Sequence, residues 1–436
     1  MIRDIYQQLL NWKQKEGRKP LILNGARQVG KTYILRLFGQ QEYAKMAFFS
    51  LDRDHRAAEV FRTGGSAADM LMALSAISGV NITPDDTLLV IDEVQDCPQA
   101  LEALKFFCED TPCIHVVVAG SLLGISLHGG VSYPVGKVEE LRLFPMTFPE
   151  FLDALGKERL SEVLRSANWP VINLLHTEFI SLLRQYYFVG GMPAAVLSFV
   201  QQRSLQDVRT IQRQILDDYR RDFSKHAPHH EVPRIHMVWD SIPAQLAKEN
   251  KKFIYSAVKK SSRAADFELA IQWLIDAGLA YKVNRVNKPA LPLKFYEDIS
   301  AFKLFMLDVG LMGAMTETPA DRILIGNDVF TEYKGAFTEL FVFTQLKAQG
   351  LSLYYHSVDN STIEIDFLTQ CDSRVVPIEV KAEVNVKSKS LRTFIDSNPE
   401  LTAVRFSMLP YKDQDWMTNL PLYAVSALNK DTQPTE

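Results

Sequence analysis

Near its start the chain reads Gly25-Ala26-Arg27-Gln28-Val29-Gly30-Lys31-Thr32, between an apolar run, Leu21-Ile22-Leu23, and a helical pattern from Tyr33 to Phe38. The spacing is G-x-x-x-x-G-K-[ST] in a strand–loop–helix context. Its glycines let backbone N–H groups turn toward a polyphosphate, and the N-terminus of the following helix adds a favourable dipole. The pattern therefore predicts a phosphate-binding loop, and a turn that only caps a helix is the disfavoured alternative.

The loop ends in two side chains suited to a nucleotide and its metal ion. Lys31 supplies a positive charge to β and γ phosphates, and the Thr32 hydroxyl is suited to ligate Mg²⁺. Downstream, the apolar run Leu88-Leu89-Val90-Ile91 ends in Asp92 and Glu93. We expect Asp92 to hold Mg²⁺ through water and Glu93 to polarise the attacking water, as phosphoryl transfer requires.

The same alternation of short apolar runs and helical patterns continues through the first third of the chain. The predicted strands are Leu21–Leu23, Ala47–Leu51, Leu88–Ile91 and Val116–Ala119, with Leu141–Phe144 as a candidate fifth. This pattern is typical of a doubly wound parallel sheet covered by helices on both faces. Ser121, just after the fourth run, is interpreted either as a catalytic hydroxyl that senses the γ-phosphate or as a simple strand terminator.

Length and composition limit the other classes of protein. The 436 residues, 47% of them hydrophobic, suffice for two to four domains at ~100–200 residues each. With 48 Lys plus Arg against 52 Asp plus Glu, the net charge is −4, so any nucleic-acid contact must be a local patch. The four cysteines form no C-x-x-C pair, which argues against a zinc site and favours a reducing cytosol.

The N-terminus carries charges where an export signal needs an apolar core, and no apolar run approaches the ~20 residues that cross a bilayer. A cytoplasmic protein with no membrane contact is expected. Changes of pattern along the chain predict four parts. They are a phosphate-loop core at 1–150, a helical lid and linker at 151–230, a winged-helix-like unit at 235–290, and an α/β domain at 294–436.

Two segments near the C-terminus place carboxylates on predicted strands, Thr362–Leu368 and Val375–Lys381. With a period of two, Glu379 and Lys381 share one face of their strand. Together with Asp366 they would supply two carboxylates for Mg²⁺ and one ammonium to orient water. Glu339, on a helix predicted from Gly335 to Gln349, would complete the set. An acid followed by Glu-x-Lys on the next strand is similar to the core of restriction-endonuclease-like folds, and an ordinary amphipathic strand is the alternative for Ile378-Glu379-Val380-Lys381. On this resemblance the candidate nuclease-like site is Glu339, Asp366, Glu379 and Lys381.

These elements resemble the AAA+ branch of P-loop ATPases, and more narrowly the ATPases that join an AAA-type domain to the domain of unknown function DUF4143. The segments that carry the resemblance are Gly25–Thr32, Ile91–Gln95, Ala119–Ser121, Leu143–Phe151, Gly190–Pro193, Phe302–Leu311 and Tyr333–Glu339. The resemblance implies ATP rather than GTP, a helical lid, a winged helix and a restriction-endonuclease-like C-terminal fold. One departure is Gly136-Lys137, where the family often has Gly-Arg, because lysine lacks the planar fork of arginine.

The winged-helix-like segment carries a basic stretch that would meet phosphates, while its third helix is acidic and unsuited to the major groove. The basic residues are Lys248, Lys251, Lys252, Lys259, Lys260 and Arg263. DNA contact and a structural or protein-docking role are equally favoured here. An arginine donated across a subunit boundary in a homo-oligomer is left open, and nothing selects between Arg220 and Arg221. A metal site at His226, His229 and His230 is disfavoured against a surface loop.

Three classes of function follow from these patterns. The first is an Mg²⁺-dependent ATPase that switches or remodels DNA, RNA or a protein partner. The second is an ATP-controlled, metal-dependent nuclease, for which an inactive salt-bridged remnant of the C-terminal site is the slightly favoured alternative. The third is a nucleotide-switched module that binds a protein and has no activity on nucleic acid.

Overall fold

The computed structural model describes residues 3–121, 123–126, 133–248, 251–325, 331–358, 363–371, 373–382 and 388–428. The chain divides into two units. The first is Met1–Phe144 with Asp276–Leu279, and the second is Pro145–Ile275 with Ala280–Glu436. Among the helices in these described ranges, none has the length and apolar character needed to span a bilayer. The predicted four-part division at 1–150, 151–230, 235–290 and 294–436 stays a prediction.

The first unit contains a five-stranded, wholly parallel sheet in the order β2-β3-β4-β1-β5. The strands are β1 Leu21–Asn24, β2 Lys45–Ser50, β3 Thr87–Asp92, β4 His115–Ala119 and β5 Glu139–Arg142. Every residue of β3 and β4 is buried, which is why both run without polar alternation. The predicted parallel sheet is confirmed, with its fifth strand two residues earlier than expected.

Helices cover this sheet and supply the remainder of its core. They are α1 Ile5–Gln14, α2 Lys31–Glu42, α3 His55–Thr63, α4 Ala67–Ser78, α5 Gln99–Asp110 and the short α6 Leu123–Ser126. Phe61, Leu74 and Leu104 pack with apolar residues of the strands in one buried cluster. This packing holds the strands rigidly, and the loops that follow them are positioned by it.

The second unit begins with a long helical region, as the pattern after Thr147 predicts. Its helices are α7 Phe148–Ala154, α8 Glu158–Ser166, α9 Trp169–Leu174, α10 His176–Val189, α11 Pro193–Gln202, α12 Leu205–His226 and α13 Val232–Leu246. A capping box starts α7, because Thr147 accepts a hydrogen bond from the Glu150 N–H and the Glu150 carboxylate accepts one from the Thr147 N–H.

The remainder of the second unit is built on a mixed eight-stranded sheet in the order β12-β13-β11-β10-β9-β8-β6-β7. The strands are β6 Ala280–Val286, β7 Glu297–Met306, β8 Leu353–Ser357, β9 Glu364–Cys371, β10 Arg374–Val380, β11 Ala403–Ser407, β12 Lys412–Gln414 and β13 Met417–Pro421. The accompanying helices are α14 Tyr255–Val258, α15 Glu268–Asp276, α16 Val309–Met315, α17 Ala320–Ile325, α18 Thr331–Ala348 and α19 Lys389–Asp396. Because β6 pairs with β8, strands on either side of residue 294 share one sheet.

A buried carboxylate joins two distant segments of the second unit. Asp308, 2% exposed, caps α16 by accepting a hydrogen bond from the Leu311 N–H at 2.9 Å. The same carboxylate accepts the Gly191 N–H at 2.6 Å, in the connection between α10 and α11. Gly190 has φ +72°, and a Cβ there would lie 2.3 Å from Asp308 Oδ1, so this position requires glycine. Burial raises the pKa of Asp308 to about 6, although these backbone donors oppose the rise.

The substitution Asp308→Asn leaves one carbonyl oxygen to serve two backbone donors. We expect it to lower the free energy of unfolding by about 1–3 kcal/mol, because one buried N–H loses its acceptor. Urea denaturation followed by circular dichroism measures the change. The exposed Asp321 provides a matched control, Asp321→Asn, expected to cost no more than about 1 kcal/mol. Equal unfolding midpoints for the two variants would show that the Asp308 contacts do not stabilise the fold.

Candidate nucleotide-binding site

The loop between β1 and α2 has a backbone that only certain residues can adopt. Gly30 is left-handed with φ +99°, and Gln28 has φ +66°. At Gly25, φ is +155° and a Cβ would lie 2.4 Å from the carbonyl oxygen of Leu143. Val29 is fully buried, so the loop is anchored in the core of the first unit. The predicted loop residues Gly25–Gly30 therefore form a turn that leads directly into α2, whose first two residues are Lys31 and Thr32.

Lys31 lies at the end of this turn. The residue is only 7% exposed. Its Nζ donates hydrogen bonds to the carbonyl oxygens of Gly25 at 2.9 Å and Ala26 at 2.8 Å. Burial lowers the pKa of Lys31 to about 8, while the carboxylates of Glu93 and Asp92 act in the opposite direction. The ammonium group is thus held by neutral carbonyl groups rather than by a direct ion pair.

The two residues predicted to hold Mg²⁺ lie side by side. Thr32 Oγ1 donates to Asp92 Oδ2 at 2.6 Å, from the first turn of α2 to the C-terminal end of β3. Asp92 is 3% exposed, and burial raises its pKa although the hydrogen bond from Thr32 opposes the rise. A hydroxyl and a carboxylate oxygen are ligands that Mg²⁺ prefers, so this pair fits the ion that a nucleotide brings.

Glu93 lies just beyond β3 in a left-handed conformation, with φ +52°. Gln95 Nε2 donates to Glu93 Oε2 at 2.5 Å, and Ser121 Oγ donates to the same oxygen at 3.5 Å. The predicted residues Glu93 and Ser121 are therefore brought together at the ends of β3 and β4. Gln95 is a site residue that the sequence analysis did not propose. Its place in the segment Ile91–Gln95 is the signal that would have pointed to it.

The residues of the predicted nuclease-like site lie in the second unit. Lys381 Nζ is 2.6 Å from Glu379 Oε1, and the Val380 N–H donates to Asp366 at 2.8 Å. Glu339, on α18, is 1% exposed. Its carboxylate accepts hydrogen bonds from the ammonium groups of Lys251 and Lys303. Within the described ranges, no group of three or more His, Cys, Asp or Glu side chains is arranged to hold a metal ion. The nuclease-like site of Glu339, Asp366, Glu379 and Lys381 therefore stays a prediction.

Other residues considered from the sequence have local partners. Arg220 pairs with Asp240 at 2.9 Å, and Arg221 with Asp218 at 2.9 Å. Lys137 pairs with Glu109 at 2.8 Å in the first unit. The basic stretch of the middle segment divides in two, because Lys259, Lys260 and Arg263 are exposed, whereas Lys251 forms a largely buried ion pair. Lys251 is therefore paired with Glu339 in this structure, whereas the sequence analysis listed it among the lysines that would contact phosphates.

Family models match three parts of the chain. Residues 17–152 match an AAA domain, 180–322 match the domain of unknown function DUF8612, and 334–425 match DUF4143. The chain carries an AAA-type ATPase domain and a C-terminal DUF4143 domain. The AAA domain comprises the parallel sheet and the loop around Lys31, as the sequence analysis expected. The winged-helix and restriction-endonuclease-like descriptions of the later segments stay predictions.

Solved structures that are similar to this chain share little sequence with it. A Walker-type ATPase of Pyrococcus abyssi is 12% identical, with 72% of this chain and 96% of that chain covered and a TM-score of 0.47. The RuvB Holliday junction branch migration motor of Thermotoga maritima is 15% identical, with coverage of 67% and 91% and a TM-score of 0.29. The ORC1 protein of Aeropyrum pernix, solved in complex with DNA, is 14% identical, with coverage of 73% and 94% and a TM-score of 0.27. No curated protein matches the chain.

The close approach of Gly25 to Leu143 predicts the effect of adding one methyl group to the loop. In Gly25→Ala, the new Cβ would lie 2.4 Å from the Leu143 carbonyl oxygen, so the loop must move. We expect nucleotide affinity to fall by at least about tenfold, because the backbone N–H groups lose their common direction. Titration with a fluorescent ATP analogue measures this.

Gly335→Ala is the matched control for this substitution. A Cβ at Gly335, in α18, would meet no atom within 4 Å, so the affinity should be unchanged. If Gly25→Ala bound the ATP analogue as tightly as the unmutated protein does, the geometry inferred for the loop would be wrong.

Proposed function

We propose that the AAA domain binds ATP with Mg²⁺ and hydrolyses it, and that this cycle switches or remodels a nucleic-acid or protein partner. The observation that supports the proposal best is the 2.6 Å contact between Thr32 and Asp92. It joins the end of the phosphate loop to the end of β3, so that both expected Mg²⁺ ligands lie together. A loop that only capped a helix would not need a buried carboxylate beside its first turn.

In the proposal, the backbone of the loop and the side chains that follow it have different roles. The backbone N–H groups of Gly25, Ala26, Arg27, Gln28, Val29 and Gly30 surround the phosphates. Lys31 exchanges its carbonyl acceptors for the β and γ phosphate oxygens, because a charged acceptor binds an ammonium more strongly than a neutral one. Thr32 and Asp92 hold Mg²⁺, which, when bound, neutralises charge on the phosphate oxygens.

Glu93 is the proposed base that polarises the attacking water. Its carboxylate is oriented by Gln95 at 2.5 Å, and its left-handed backbone turns it away from the direction of β3. Ser121, whose Oγ is 3.5 Å from the same oxygen, is the proposed hydroxyl that senses the γ-phosphate. Gln95 acts through Glu93 and is a positioning residue rather than a catalytic one.

The nuclease alternative has less support in the geometry. Both carboxylate oxygens of Glu339 accept hydrogen bonds from lysines, and Glu379 is paired with Lys381. These contacts favour the interpretation of the C-terminal site as a salt-bridged remnant. A nucleic-acid partner would instead meet the exposed cations Lys259, Lys260 and Arg263, since the net charge of −4 opposes broad coating of DNA.

Two substitutions separate nucleotide binding from turnover. Lys31→Ala removes the charge that meets the phosphates, so nucleotide binding should be lost. Glu93→Gln keeps the shape of the site but not the base, so binding should persist while the hydrolysis rate falls by about 100-fold or more. A phosphate-release assay and a nucleotide titration on the same preparations give both quantities. Equal hydrolysis rates in the two variants and the unmutated protein would refute the proposed active site.

The class of partner is tested by the effect of nucleic acid on turnover. If DNA or RNA is the partner, we expect either polymer to stimulate hydrolysis several-fold at low salt, with less stimulation as salt rises. Replacing both Lys259 and Lys260 with Ala should weaken the stimulation without changing the basal rate. Glu93→Gln serves as the background control for contaminating ATPases. Identical rates with and without both polymers would favour a protein partner instead.

A further inference from the structure

The carboxylates expected to bind metal in the second unit are compensated by lysines. Glu339 lies on α18 and is 1% exposed. Its Oε1 accepts a hydrogen bond from Lys303 Nζ at 3.1 Å, and its Oε2 accepts one from Lys251 Nζ. Both oxygens of this carboxylate therefore bind ammonium groups of the same chain.

Lys303 is the more deeply placed of the two lysines. It lies on β7 with 0% exposure, and its Nζ also contacts Glu364 Oε1 at 2.7 Å. Burial opposes the charge of Lys303, but Glu339 and Glu364 outweigh that effect and raise its pKa. Its ammonium is also 5.0 Å from the ring centroid of Tyr355. Lys303 is thus a permanent cation at the centre of the cluster.

Asp366, on β9, belongs to the same group of charges. Its carboxylate accepts the Val380 N–H at 2.8 Å, and burial followed by the charge of Glu339 raises its pKa to about 6. The positive charges of Lys251 and Lys303 oppose that rise. Three carboxylates and two ammonium groups are consequently assembled in one cluster, in which Glu339 and Lys303 are buried and Glu364 and Asp366 are partly exposed. The carboxylates are Glu339, Glu364 and Asp366, and the ammonium groups are those of Lys251 and Lys303.

We propose that Lys251 and Lys303 are the resident cations of this cluster and that they exclude divalent metal ions from it. A divalent ion bound to Glu339 would have to share its carboxylate with two like charges in a region of low dielectric. Each oxygen of Glu339 already accepts a hydrogen bond from an ammonium group, so a divalent ion bound there would lie directly beside a like charge. The cluster is therefore a metal-free ion-pair network, and Glu339 and Asp366 form a divalent-ion site only when a lysine is withdrawn.

Lys251 is the lysine whose withdrawal opens the cluster. Its side chain is 17% exposed, compared with 0% for Lys303. It lies in the connection between α13 and α14, whereas Lys303 is fixed within a strand of the sheet. The pairing of Lys251 with Glu339 accordingly joins the segment before α14 to α18.

Titration with Mn²⁺, followed by the electron paramagnetic resonance signal of the free ion, tests the proposal on the full-length chain. All proteins carry Asp92→Asn, so that the AAA domain contributes equally in each. We expect Lys251→Met to bind Mn²⁺ at least about tenfold more tightly than its parent, because one repelling charge is removed. Adding Glu339→Gln to Lys251→Met should abolish the gain.

Lys260→Met is the matched control, since it removes an exposed positive charge from the same segment. It should leave Mn²⁺ affinity within about twofold of the parent, because an exposed charge is well screened. A gain as large as that of Lys251→Met would overturn the proposal, since net charge alone would then explain the effect.

Two further outcomes would overturn it. One is unchanged Mn²⁺ affinity in a folded Lys251→Met protein, with folding verified by circular dichroism. The other is Mn²⁺ binding by the parent protein that Asp366→Asn abolishes, because metal and lysines would then coexist. Lys251→Gln, which retains a hydrogen-bond donor for Glu339, replaces Lys251→Met if that variant does not fold. The test does not involve ATP hydrolysis, so its result is independent of the proposed function.

Discussion

Parallel pairing is the constraint on which the AAA domain depends. Since β1 and β3 both pair with β4 in the same direction, their carboxyl ends lie on one edge of the sheet. The phosphate loop, Glu93 and Ser121 each come after one of these strands, and Asp92 is the last residue of β3. Thr32 and Ser121 are about ninety residues apart in sequence. The pairing of the strands, rather than a contact between the side chains themselves, brings them to the same edge of the sheet. Reversing one strand would remove its side chains from the site altogether.

Two buried lysines have pKa values that shift in opposite directions, because their hydrogen-bond acceptors differ in charge. Lys31 is held by neutral carbonyl oxygens. Its pKa is lowered because these acceptors do not offset the free-energy cost of burying the ammonium charge. Lys303 is held by carboxylates, and its pKa is raised because their charges more than repay that cost. An ammonium bound to neutral groups is ready to exchange them for an anion. One bound to two carboxylates is a fixed part of the structure.

How far the sequence predicts this protein depends on the range of the interactions. The phosphate loop is local, so its spacing alone predicts it. The long buried runs of β3 and β4 likewise predict a sheet covered on both faces. The pairing of Lys251 with Glu339 spans 88 residues, and no local pattern distinguishes Lys251 from the exposed Lys259. The sharing of one sheet by β6 and β8 is equally invisible, because strand pairing leaves no mark in either segment separately.

The contact between Gly191 and Asp308 has a consequence for synthesis of the chain. The two residues are 117 positions apart, so the ribosome completes α10 and α11 long before it adds the acceptor for the Gly191 N–H. Until Asp308 emerges, the Gly191 N–H lacks the acceptor that it has in the folded protein. The helices of the second unit thus reach their final arrangement late in translation, whereas every strand of the first unit has been made by Arg142. The parallel sheet that carries the nucleotide-binding site is in this sense the part of the protein that is made first.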